Sequence, residues 1–141
     1  MATRERPQAG FSQSFVLYSG NIRLFLQQVK SFSGKFVFHL ERQTLAVCHD
    51  VFSHQSIAEE ALGDSRKGGK IGGSVNIFTS EKGIELFVFG SSGYFGRPRT
   101  EQMAVMVGYL SGQLVSAGFP VNVKDISWSG NAQYLIEIGT Q

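Results

Sequence analysis

Apolar positions change period along this chain, and each change marks an element. From Phe11 to Tyr18 they alternate loosely and stop at Ser19-Gly20, which predicts a strand. Asn21 can cap a helix. Ile22, Phe25, Leu26 and Val29 then recur at helical spacing, and Gly34 is the expected stop. Alternation returns over 35–41 with Phe36, Phe38 and Leu40, and again over 44–51 with Leu45, Val47 and Val51. The short link Arg42-Gln43 makes these two a hairpin. Ser53 suits an N-cap, Ile57, Ala58, Ala61 and Leu62 form a narrow helical stripe, and Gly63 closes it. The polar, glycine-rich run 64–73 predicts a loop.

Strands over 74–79 and 84–89 flank Ser80-Glu81-Lys82-Gly83, the clearest hairpin signal in the chain. After the loop Gly90 to Gly96, Pro98 is expected in the first turn of a long helix. Its buried face is Met103, Met106, Val107, Leu110, Leu114 and Ala117, and Gly118 and Pro120 end it. Segments 121–128 and 133–138 read as a last strand pair around Ser129-Gly130-Asn131. The predicted order is β-α-β-β-α-β-β-α-β-β, an α+β domain with a mixed sheet flanked by about three helices. One domain is expected over 11–141, preceded by a loose tail over 1–10.

Composition narrows the function classes. A chain of 141 residues can bury one proper core, and twelve Phe suggest a sheet packed on both faces. A formal net charge of +2 gives little attraction for a polyanion, so nucleic acid is not an expected partner. Cys48 is the single cysteine, which excludes an internal disulfide and suits a reducing compartment. The first ten residues carry no apolar leader and no run reaches membrane length, so the expected location is cytoplasmic, with no membrane association.

Four places could carry chemistry. The loop Gly90-Ser91-Ser92-Gly93-Tyr94-Phe95-Gly96 joins a buried strand to a helix. Its glycines let main-chain N–H groups converge as an anion site, with two serine hydroxyls and Arg97 and Arg99 nearby. The alternative is a plain turn that uses glycine for geometry. His54 follows the cap Ser53, where the positive helix end opposes protonation and favours a neutral, proton-accepting imidazole; the alternative is an exposed surface histidine.

The run from Gly63 to Lys70 superficially matches a phosphate-binding P-loop. It has an extra Gly, Ile71 where Ser or Thr should bind magnesium, and a helix before it, so it reads as a solvated basic connector. His39 and His49 lie out of register on neighbouring strands, which argues against a shared metal site, and neither a metal nor a cofactor is expected. Cys48 sits mid-strand, buried and inert. Phe36, Phe38, Phe87 and Phe89 fit a core as well as a base-stacking surface.

Several of these pieces occur together in one family. Val88-Phe89-Gly90-Ser91-Ser92-Gly93-Tyr94-Phe95-Gly96-Arg97-Pro98 resembles the strand, serine loop, aromatic, Gly and Pro of the janus/phosphohistidine phosphatase family. Gly68-Gly69-Lys70-Ile71 is similar to its glycine turn, His54-Gln55-Ser56-Ile57 to its catalytic histidine segment, and Lys35-Phe36-Val37-Phe38 to its first strand. Phe119-Pro120 and Ser127-Trp128 have counterparts near its C-terminus. The resemblance covers about residues 35 to 134. Residues 1–34 and the extra Arg97 depart from it, and the segment between the histidine helix and the glycine turn is shorter than in the family.

The resemblance implies a janus-like fold and a metal-free phosphatase acting on phosphoryl groups of protein side chains, phosphohistidine-type. His54 would be the general base. Ser91, Ser92, Gly93 and Tyr94 would hold the phosphate with Lys35, and Lys70 and Arg97 would be accessory cations. The expected partner is a phosphorylated protein or small phosphorylated substrate. A rival reading is a non-enzymatic module that binds a phosphorylated partner or associates with copies of itself. A weaker third reading is nucleic-acid binding through Arg66, Lys67, Lys70, Arg97 and Arg99.

Overall fold

The computed structural model of the chain describes residues 14–28, 31–49, 52–128 and 133–134. Its elements, in order, are β1 (Phe15–Leu17), α1 (Ile22–Gln28), β2 (Ser31–His39), β3 (Thr44–Cys48), α2 (His54–Ile57), a π-helical segment (Ala58–Leu62), β4 (Lys70–Ser80), β5 (Gly83–Gly90), α3 (Thr100–Ser116), β6 (Val121–Trp128) and β7 (Gln133–Tyr134). The strands form one sheet in the order β1-β3-β2-β4-β5-β6-β7. It is a mixed sheet: β5 and β6 are parallel, joined by the α3 crossover, and every other pair is antiparallel. The α+β class read from the sequence therefore stands. The predicted tail over 1–10 and the strand ends at 11–13 and 135–138 lie outside the described residues.

Helices α1 and α3 cover one face of the sheet. Ile22, Phe25 and Leu26 from α1 and Met103, Met106, Val107, Leu110 and Leu114 from α3 meet Phe32, Phe36, Phe38, Val75, Leu86 and Val88 in the larger core. The helical periodicity of 103–114 thus marks the face it was expected to bury. The second face is covered at one end by α2 and the π-helical segment, where Ile57, Ala58 and Leu62 pack on Val37, Ala46 and Cys48. Phe95, from the loop after β5, packs against this second cluster. That contact seats the loop on the same side of the sheet as α2.

Three boundaries differ from the sequence expectation, and glycine explains two. Gly34 does not stop α1; it lies inside β2, paired with Val75 of β4. A Cβ there would run into the carbonyl oxygen of Cys48 and the ring of Phe32, so glycine permits a close strand approach. Likewise β4 starts at Lys70 rather than 74, because Gly72 and Gly73 are strand residues crowded from both sides. Pro98 precedes the N-cap Arg99 instead of standing in the first turn of α3. The N–H of Arg99 is held by the side chain of Gln102 at 2.8 Å.

Candidate functional site

Ser53 caps α2 as its sequence suggests: its hydroxyl accepts from the N–H of Ser56 at 3.0 Å, with its backbone extended. His54 is therefore the first residue of the helix, and it is half-buried. Its Nε2 lies 2.9 Å from the carbonyl oxygen of Gly73. A carbonyl only accepts, so Nε2 carries a proton. That bond fixes the ring over β4.

Gly72 is why the ring fits. It pairs with Val37 and so faces the α2 side of the sheet. A Cβ on Gly72 would stand 2.9 Å from Cδ2 of His54 and 3.2 Å from Cβ of Ser92. Both atoms border one point, so they are no more than about 6 Å apart. The two residues singled out from the sequence, 38 positions apart, thus meet above a strand position that has no side chain.

The loop itself is closed more tightly than expected. Ser92 and Gly96 exchange main-chain bonds, Ser92 N–H to Gly96 O at 3.1 Å and Gly96 N–H to Ser92 O at 2.8 Å. The hydroxyl of Ser92, a buried residue, accepts from the N–H of Tyr94 at 3.1 Å and of Phe95 at 3.0 Å. Of the loop residues expected to hold phosphate, Ser92 and Tyr94 therefore have their amides engaged within the loop. Gly93 is exposed at the loop tip, Ser91 is half-buried beside it and Arg97 is exposed. The loop does not run straight into a helix either, since Arg97, Pro98 and Arg99 separate Gly96 from α3.

Lys35 lies on the same face, opposite Ser74 of β4 and Cys48 of β3. Its ammonium donates to the carbonyl of Phe52 at 2.8 Å, which places a positive charge beside the entry to α2. Lys70 does not serve as an accessory cation. Its ammonium, with the side chain 1% exposed, is bound to Asp64 Oδ1 at 3.2 Å and to the carbonyls of Arg66 and Gly68 at 2.6 and 3.3 Å. All three donors of the ammonium are in use.

Asp64 is the residue that sequence reasoning missed. It also takes Arg66 in a two-pronged pair at 3.0 and 3.1 Å, with Arg42 at 3.8 Å. The bonds from Arg66, with help from Lys70, hold its carboxyl well below the usual carboxylate range, and Asp64 in turn raises the Arg66 guanidinium. The stretch 63–70 is thus solvated at Gly63 and from Arg66 to Gly69, as expected, but pinned in place through Asp64 and Lys70. It is tied to the second loop, where Tyr94 donates its hydroxyl to Ser65 O at 2.9 Å and Lys67 lies 4.9 Å over the Tyr94 ring.

The other titratable groups have structural surroundings. His39 pairs with Thr44, and its Nδ1 accepts from the N–H of Arg42 at 3.2 Å. Burial, then Arg42 and Lys70, push it below the ordinary histidine value, so its ring is neutral. Cys48 is buried, and burial raises its thiol. Among the described residues no three His, Cys, Asp or Glu gather as a metal site. No helix among them is long and apolar enough to cross a membrane. Set against protein-family models, curated proteins and solved structures, the chain finds no match.

Proposed function

We propose that the corner formed by His54, Ser92 and Lys35 acts on phosphoryl groups, as a metal-free phosphatase of the phosphohistidine type working on protein side chains. The meeting of His54 and Ser92 over Gly72 is the observation that carries this reading. With Nε2–H held by the carbonyl of Gly73, Nδ1 is the ring atom that would accept a proton when the imidazole acts as general base. In the proposed step a water oxygen bonds to phosphorus and gives its proton to Nδ1. The bond from phosphorus to the side chain breaks, and the leaving nitrogen or oxygen takes a proton from solvent. Lys35 supplies charge for the phosphoryl oxygens from the same face.

The test is phosphate release from a phosphohistidine peptide. Wild type turns the peptide over, and His54→Ala is expected to lose roughly a hundredfold or more of the rate while its amide spectrum stays folded. Undiminished release by His54→Ala contradicts the assigned base. The engaged amides of Ser92 and Tyr94 favour a second reading, a module that binds phosphorylated partners without turning them over. Saturable peptide binding with no release by wild type selects that reading.

A further inference from the structure

We propose that the oxygen seat of this corner is the pair of amides on Tyr94 and Phe95, and that the Ser92 hydroxyl fills the place of a ligand oxygen when no anion is bound. This rests on the phosphate-directed reading and names its atoms. The two N–H groups point at a single oxygen, at 3.1 and 3.0 Å. Consecutive amides converging on one oxygen is the arrangement that stabilises a bound oxyanion. Phe95 is not among the phosphate ligands that the sequence suggests, and the Ser92 N–H, bonded to Gly96 O, gives up that role.

Loop closure does not depend on the hydroxyl, because Ser92 and Gly96 already exchange both main-chain bonds. The side chain can therefore leave its seat by rotation about one bond while the ring of backbone stays closed. The seat is also on the right side: Ser92 Cβ borders the same point over Gly72 as the His54 ring. A phosphate oxygen is charged where the hydroxyl is neutral, and charge-assisted bonds are about twice as strong. Exchange thus favours the anion, and the hydroxyl acts as an internal competitor that keeps two buried-side amides satisfied until a ligand arrives.

Calorimetric titration with inorganic phosphate tests this on wild type, Ser92→Ala, Ser92→Cys and Ser92→Thr. Removing the competing acceptor is expected to tighten phosphate binding roughly tenfold in Ser92→Ala. Ser92→Cys keeps a side chain of similar size but accepts weakly, so it tightens binding by a smaller factor even if the alanine variant does not fold. Ser92→Thr retains the hydroxyl and is expected not to tighten binding. Phosphate binding by wild type that neither the alanine nor the cysteine variant strengthens overturns the proposal and leaves the phosphate-directed reading standing. No phosphate binding by wild type or any variant overturns both.

Discussion

Two glycine-rich loops lie side by side on the same face of the sheet, and each is organised around one oxygen-bearing side chain. In the stretch 63–70 that side chain is Asp64, a carboxylate that gathers Lys70, Arg66 and Arg42. In the loop 90–96 it is Ser92, a neutral hydroxyl that gathers two main-chain amides. The first centre pairs full charges, one of them on a buried lysine whose three donors are all in use. The second uses neutral bonds that an anion can outcompete. The two loops share their glycines and differ in the charge on the organising side chain.

The sharpest way to break this comparison is to remove each centre in turn. Asp64→Ala leaves the Lys70 ammonium buried without its counter-charge, and the melting temperature is expected to fall by about 10 °C. Ser92→Ala leaves the amides of Tyr94 and Phe95 without their acceptor in a loop that remains closed, and thermal melting should register a smaller loss, of about 1–2 kcal/mol. Equal losses for the two variants would show that the loops are braced alike.

Gly72→Ala comes next, since it tests the corner where His54 and Ser92 meet. Its new methyl presses on the His54 ring at 2.9 Å and on Ser92 Cβ at 3.2 Å. Denaturant unfolding should show a cost of about 1–3 kcal/mol, with the His54 ring resonances displaced. An unperturbed ring would mean that the corner is looser than described.

Acid should unfold the chain in two stages with different owners. His39 titrates below its ordinary value in the fold, so the unfolded chain binds the proton more readily. Stability is then lost as pH falls from about 6.5 toward the lower folded value. Asp64 is also depressed, so its contribution is full above its ordinary value of 3.8 and is lost as pH falls further. In a melting series across pH, His39→Gln is expected to blunt the first stage only. The smallest effect belongs to Tyr94→Phe, which cuts the hydroxyl bond that joins the two loops and should cost about 0.5–1 kcal/mol in denaturant unfolding.

Much of this molecule was legible in the sequence wherever the cause is local. The Ser53 cap, the stripe of α3 and the hairpin at Ser80 to Gly83 depend on near neighbours, and they lie where periodicity and turn chemistry put them. The strand membership of Gly34, Gly72 and Gly73 was not legible, because those glycines answer to Cys48, His54, Ser92 and Phe89 from elsewhere in the chain. Asp64 was hidden for the same reason. Among the basic residues around it, one acid reads as partial neutralisation, and only the tertiary fold shows it gathering three cations. For the candidate site, His54 and the loop were picked out, while the inward turn of the amides depends on a serine rotamer that no pattern encodes.

An amide-resolved titration with inorganic phosphate addresses the central assignment most directly. The Tyr94 and Phe95 N–H signals and the His54 ring signals are expected to move together with one dissociation constant, while Asp64 and Lys70 stay still. Shifts centred on the Arg66–Lys67 surface, or a Tyr94–Phe95 pair that does not respond at saturating phosphate, would contradict it.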